Sequence, residues 1–205
     1  MKPKIHFTAP YHWINDPNGL IYYKGNYHIF YQHFPYENFW GTMHWGHATT
    51  KDFIHFQHYP IALYPSKIYD RNGCFSGSAI EKDGKLYLYY TAIRYAKENP
   101  EYVHIQYSDD DLIASQALMI SDDGFHFDNK DGKQKIIDVI EDKTLGDVRH
   151  TRDPKVWKMK NGKYALIVGS KVPSETGYCG EVLLYESEDA VHFTYKNRFL
   201  DDRIG

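Results

Sequence analysis

Two carboxylates in this 205-residue chain each sit directly before a proline: Asp16 in WINDPNG (Trp13–Gly19) and Asp153 in RDPKVW (Arg152–Trp157). Proline fixes its own φ and biases the preceding residue toward extended backbone, so each carboxyl is expected to be held at one angle. Around Asp16 stand groups that stack, hydrogen-bond or stiffen the backbone. Arg152, beside Asp153, is expected to keep that acid ionised, which suits binding and charge stabilisation better than proton donation. Two carboxyls facing one cavity are what glycoside hydrolysis needs, one as nucleophile or base and one as acid. Asp-Pro is also an ordinary turn pair. What favours chemistry is that the two pairs occupy equivalent places in a repeated unit.

That unit is legible in the hairpins. IYYKGNYHIFYQ (Ile21–Gln32), AIEKDGKLYLYYTA (Ala79–Ala92) and KVWKMKNGKYALIVGS (Lys155–Ser170) each read as strand, tight turn, strand. Asp-Gly and Asn-Gly at Asp83-Gly84 and Asn161-Gly162 suit two-residue turns whose central residues need φ > 0, and Lys24-Gly25-Asn26 takes the same place. Leu86-Tyr87-Leu88-Tyr89-Tyr90 is apolar on both parities, so this strand should be covered on both faces. Asp-x-x-His-Phe recurs at Asp52, Asp123 and Asp189, about 70 residues apart; such a period marks a repeated structural unit. We read it as part of an outer strand, with His55, His126 and His192 structural. DLIASQALMISDD, just before the second copy, reads as a strand rather than a helix. A central hairpin plus an outer strand per repeat fits a four-stranded propeller blade. The expected fold is all-β, with about three blades. Closed propellers have four to eight, and the chain stops at FLDDRIG, just after the third repeat. It therefore reads as the N-terminal portion of a longer protein, with open blade edges covered by missing residues or by another chain.

A propeller binds its ligand on the axis, where the innermost strands converge. Unit one offers Asn15-Asp16 there, unit two CFSGSA (Cys74–Ala79), and unit three Arg152-Asp153. Metal chemistry has no support: HExxH and CxxC are absent, and His44 and His47 of HWGH have opposite strand parity. No cofactor is expected. Hydrophobic residues make up 42%, charged residues 25%, and the net charge is −3, which describes a globular domain without the basic stripe of a nucleic-acid or membrane binder. The apolar runs are too short to span a bilayer, and Lys2 and Lys4 are followed by no leader-like segment. Cys74 and Cys179 read as free thiols of a cytoplasmic protein. Aromatics reach 17%; most must pack in strands, and some could cover the apolar faces of a sugar.

WINDPNG, Gln32, FWG (Phe39–Gly41), FSGS (Phe75–Ser78) and RDPKVW, in this order, resemble the signature series of glycoside hydrolase family 32, the invertases, levanases and inulinases. The resemblance spans nearly the whole chain. It implies a five-bladed β-propeller followed by a β-sandwich, with residues 1–205 covering about the first three blades and the remaining blades and sandwich absent. It implies cleavage of β-D-fructofuranosides with retention and without a metal. By position, Asp16 would be the nucleophile that forms a fructosyl-enzyme and Asp153 the transition-state stabiliser. Asn15, Gln32, Trp40, Phe75, Ser76 and Arg152 would line the fructose pocket. Trp13 reads equally well as packing.

One departure matters. The family's acid/base is a Glu in a Glu-Cys motif, which this chain lacks. YCGEV (Tyr178–Val182) has the two residues in the wrong order, and its Glu181 reads as a loop or strand entry. The parent protein is therefore expected to hydrolyse sucrose or sucrose 6-phosphate, and these 205 residues to be inactive or nearly so. A non-catalytic fructan- or sugar-binding propeller is the alternative. An inverting or arabinan-cleaving propeller is a third reading, which WINDPNG opposes.

Overall fold

The computed structural model describes residues 6–201; Lys2, Lys4 and the end of FLDDRIG lie outside them. Twelve strands form three four-stranded antiparallel sheets, each in meander order. The first holds β1 (Trp13–Tyr23), β2 (Asn26–Phe34), β3 (His44–Thr50) and β4 (Phe56–Leu63). The second holds β5 (Gly73–Lys82), β6 (Lys85–Tyr95), β7 (Leu112–Ser121) and β8 (Lys133–Ile137). The third holds β9 (Arg152–Lys158), β10 (Tyr164–Ser174), β11 (Gly177–Ser187) and β12 (Thr194–Asp201). β5 packs against both β1 and β9, so the first strands of the three sheets stand side by side. These are three blades of a β-propeller.

Alternation on β6 shows why the second strand of a blade is apolar throughout. Leu86, Leu88 and Tyr90 enter a core with Phe30, Trp45 and Leu63 of blade one. Tyr87 and Tyr89 enter another with Val156, Leu166, Val168 and Leu183 of blade three. Successive side chains of a strand point to opposite faces, and here each face is an inter-blade core. DLIASQALM forms β7.

Two hairpins turn as expected. Lys24 (φ 45°) and Gly25 (φ 84°), and Asp83 (φ 52°) and Gly84 (φ 76°), are left-handed pairs, the twist that two-residue hairpins require. Asn26 already belongs to β2. The third hairpin differs: it runs from Met159 to Lys163, with Gly162 alone at positive φ and the Asn161 side chain accepting from the Lys163 amide.

Asp-x-x-His-Phe is a turn that leads into the outer strand rather than the strand itself, with Phe56 alone of its residues opening β4. In each blade it links the third strand to the fourth. Asp52 Oδ1 accepts from the amides of Ile54 and His55, and Oδ2 meets His55 Nδ1 at 2.7 Å. Asp123 and His126 (2.5 Å), and Asp189 and His192 (2.6 Å), repeat this. A short acid that binds backbone amides downstream competes with the ladder and ends the strand. Each histidine is spent on its own aspartate, as the structural reading expected.

Candidate active site

Each inner strand carries a bulge at its candidate residues. Between Ile14 and Pro17, β1 advances three residues while β2 advances two, from His33 to Tyr31. The same happens on β5 between Cys74 and Gly77, and on β9 between Arg152 and Lys155. The extra residues fall at Asn15-Asp16, Phe75-Ser76 and Asp153-Pro154. A bulge breaks the two-residue period and re-aims a side chain out of the ladder. Three bulges at one level therefore turn residues from separate blades toward a common region.

Neighbouring blades are stapled just below that level. Gly77 N donates to Asn18 Oδ1 at 3.3 Å, joining β5 to β1. Ser78 Oγ donates to the Pro154 carbonyl at 2.8 Å and accepts from Val156 N at 3.1 Å, joining β5 to β9. Gln32, buried on β2, donates to the Cys74 carbonyl at 3.0 Å, and Trp45 Nε1 donates to the Phe75 carbonyl at 3.0 Å. Gly77 has no room for a side chain, because an added Cβ would collide with the Tyr89 carbonyl.

At the bulges, Ser76 Oγ donates to Asp16 Oδ2 at 2.7 Å, from one blade to the next. Asn15 Oδ1 accepts from Trp13 Nε1 at 2.6 Å, so Trp13 orients Asn15 while its ring packs against the apolar cluster that includes Phe34 and Phe75. Trp40 meets Phe75 edge-on, with ring centroids 5.8 Å apart. Asp153 and Arg152 open β9. Asp16 and Asp153 both keep exposed surface, although protein crowds the Asp153 carboxyl, and the Asp16 charge is among those that act on it. Asp16, Ser76 and Asp153 are thus brought to one place; Trp40 and Phe75 make an aromatic patch beside them; Gln32 braces the wall from behind.

Two expectations about Asp153 need correction. Its backbone is not extended but left-handed, at φ 68°, a region that Asp tolerates better than most residues. The Asp153 amide donates to Thr91 Oγ1 at 2.8 Å, Thr91 Oγ1 donates to Gln116 Oε1 at 2.9 Å, and Gln116 Nε2 donates to the Thr151 carbonyl at 2.8 Å. Thr91 and Gln116 are buried in blade two, and they hold the start of blade three in this conformation. The electrostatic balance also differs. Desolvation raises the Asp153 pKa; Arg152 lowers it and Asp16 raises it, and the net shift is upward. Crowding by protein outweighs the neighbouring guanidinium.

The sequence profile of the glycosyl hydrolases family 32 N-terminal domain matches residues 6–204. The chain belongs to this family. A sucrose-6-phosphate hydrolase of Zymomonas mobilis is 40% identical over 98% of the chain, and a raffinose invertase of Escherichia coli is 42% identical over 89%. A β-fructofuranosidase of Bombyx mori superposes with a TM-score of 0.75 at 34% identity, covering 95% of this chain and 37% of that one. A mutant of that enzyme, solved in complex with sucrose, matches equally well. The chain spans 36% of the length of the Zymomonas relative and 34% of the raffinose invertase.

Within this family 32 domain, Glu181 is neither a loop nor a strand entry. It lies inside β11, paired with Ser170, buried and bonded to Arg198 Nε at 2.6 Å. Among the described residues, no group of three His, Cys, Asp or Glu side chains is arranged to hold a metal ion. Thr91 and Gln116 escaped the sequence reading because their partners are 62 and 35 residues away. Asn18 and Ser78 were inside quoted motifs, but nothing in the motifs says that they join blades.

Proposed function

We propose that this chain forms the nucleophile-bearing part of a retaining β-fructofuranosidase that acts on sucrose or sucrose 6-phosphate. One observation carries the reading: bulges on the adjoining first strands of three blades fall at Asp16, Ser76 and Asp153, and Ser76 Oγ of blade two donates to Asp16 Oδ2 of blade one at 2.7 Å. In the proposed reaction an Asp16 oxygen attacks the anomeric carbon of the fructosyl group, and the glycosidic C–O bond breaks with its electron pair leaving on the departing sugar. Water then releases fructose from Asp16 by the reverse displacement. Ser76 fixes the rotamer of the attacking carboxylate. Asp153, ionised, binds fructose hydroxyls and faces the positive charge that develops on the ring. Asn15, Trp40, Phe75 and Arg152 shape the fructose pocket, with Gln32 behind them.

The departing oxygen needs a proton, and general acid assistance is worth about 10²–10⁴-fold. The 205 residues contain no Glu-Cys pair, so alone they should turn over slowly or not at all. The acid belongs to further blades of a five-bladed ring. Free Cys74 and Cys179 fit a cytoplasmic enzyme. The test is hydrolysis of sucrose, sucrose 6-phosphate, inulin and levan by the complete product of the gene that encodes these residues. Asp16→Asn should lower kcat by at least about 10³-fold, as loss of a covalent nucleophile does. Unchanged turnover in that variant would remove Asp16 from the chemistry. Sugar binding without hydrolysis by the complete product would favour the non-catalytic sugar-binding propeller.

A further inference from the structure

A basic cluster flanks Asp153. Arg149, His150 and Arg152 belong to the turn before β9 and to the start of that strand, and Lys171 belongs to β10. Arg152 pairs with Gly169, so Lys171 stands two residues further on, roughly 6.6 Å along the strand, beyond the start of β9 and beside the 147–151 turn. Ser170 fastens that turn. Its Oγ accepts from Asp147 N at 3.1 Å and shares a hydrogen bond with Thr151 Oγ1 at 2.8 Å.

The cations are unequally engaged. Arg149 pairs with Asp110 and, at 3.7 Å, with Asp147. Arg152 donates to Nδ1 of His150 at 3.1 Å, and Lys171 Nζ lies 4.1 Å from the Tyr178 ring centroid. Among the described residues neither Arg152 nor Lys171 has a carboxylate at ion-pair distance. Burial, then the charges of Lys171 and Arg152, hold the His150 imidazole below its usual pKa range. With Nδ1 accepting from Arg152, the neutral ring carries its proton on Nε2, as a donor. On a chain whose net charge is −3, positive charge and hydrogen-bond donors are concentrated beside one of the two site acids.

We propose that Lys171 and His150, backed by Arg152 and framed by Arg149, form an anion subsite that takes the phosphate of a phosphorylated fructoside. This rests on the reading of Asp16 and Asp153 as the hydrolytic pair. A lysine supplies a compact point charge on a flexible stem, and the imidazole and guanidinium supply directed donors, the combination that suits a phosphate dianion. The subsite lies one to two residue lengths from the start of β9. It is placed to meet a phosphate carried on the leaving sugar of a fructoside whose fructosyl group is held at Asp16 and Asp153. The domain would then prefer sucrose 6-phosphate to sucrose.

The test compares kcat/KM on sucrose and sucrose 6-phosphate for the complete gene product and its Lys171→Met and Lys171→Arg variants. Lys171→Met keeps the aliphatic stem over Tyr178. It should cost about 10- to 100-fold on sucrose 6-phosphate, mainly in KM, which is the range for losing a charged hydrogen bond, and change sucrose hydrolysis by less than about threefold. Lys171→Arg should restore most of the loss. Equal losses on both sugars, or none on either, would overturn the subsite. If the wild type hydrolyses neither sugar, the hydrolytic reading fails, and calorimetric binding of glucose 6-phosphate against glucose judges the subsite separately. Preference for the phosphorylated sugar that vanishes in Lys171→Met supports it; equal binding in the wild type sinks it.

Discussion

Asp153 holds its carboxyl between opposing influences, and its pH response can be derived from them. Crowding and Asp16 push its pKa up while Arg152 pulls it down. The proposed role needs the ionised form, so the acid limb of the kcat/KM profile should lie above the ordinary Asp value. Arg152→Met removes the one lowering influence named and should move that limb to still higher pH, measurable as a rate–pH profile on sucrose. Thr91→Val tests the backbone side of the same residue. It deprives the Asp153 amide of its acceptor and buried Gln116 of a donor, at a cost of about 1–3 kcal/mol. We expect kcat to fall more than KM rises, with Thr91→Ser restoring activity. The acids themselves were legible because Asn-Asp-Pro and Arg-Asp-Pro are contiguous. The left-handed turn of Asp153 was not, since Pro154 argues against it and only the Thr91 bond across the blades requires it.

At the scale of the strands, binary pattern and turn residues disclosed the hairpins and the double burial of β6. They did not disclose the bulges, because the residue inserted in each inner strand leaves no mark on composition. Nor did they disclose the ion pair between Lys133 of β8 and Asp70, which precedes β5. Both side chains are fully buried, 2.6 Å apart. Tyr90 OH also donates to Asp70, and the Ser66 and Lys67 amides reach its other oxygen. Lys133 in addition caps the Tyr64 carbonyl at 2.6 Å. Removing one partner of a buried pair strands the other charge, at about 3–5 kcal/mol. Lys133→Met should therefore lower the denaturation midpoint sharply. Lys85→Met, which breaks the exposed pair with Asp122, should leave the midpoint almost unchanged, because a solvated surface pair contributes little. Urea titration of both variants compares them directly.

Over the whole molecule, stability should respond to acid through buried histidines. Burial depresses His47 to about 3 and His44 to about 4, and His28 and His33 move in the same direction for the same cause. The unfolded chain takes up these protons near pH 6.5 and the folded chain does not, so stability is full above that pH and declines as pH falls toward the folded values. Melting temperatures from pH 7 to pH 4 should fall steadily, and His47→Gln should flatten the slope. Surface chemistry matters at this scale too. Leu20, Tyr22, Phe53 and Ile54 are exposed along an apolar groove of about 960 Å³ on blade one, and Phe199 and Leu200 are exposed on blade three. Contiguous apolar surface of this kind promotes association. Sedimentation of the 205-residue chain should show concentration-dependent assembly, weakened by Ile54→Lys.

The order of the strands also gives each blade two unlike ends. The bulges and the basic turn before β9 gather at one end. The tight hairpins and the three aspartate-pinned turns gather at the other, because every blade enters at the chemical end and reverses three times. An affinity tag, a surface tether or a fused partner inserted at the Lys24-Gly25, Asp83-Gly84 or Asp52–His55 turns would therefore leave the sugar's approach unobstructed, so the domain can be immobilised by its underside and still meet soluble ligand.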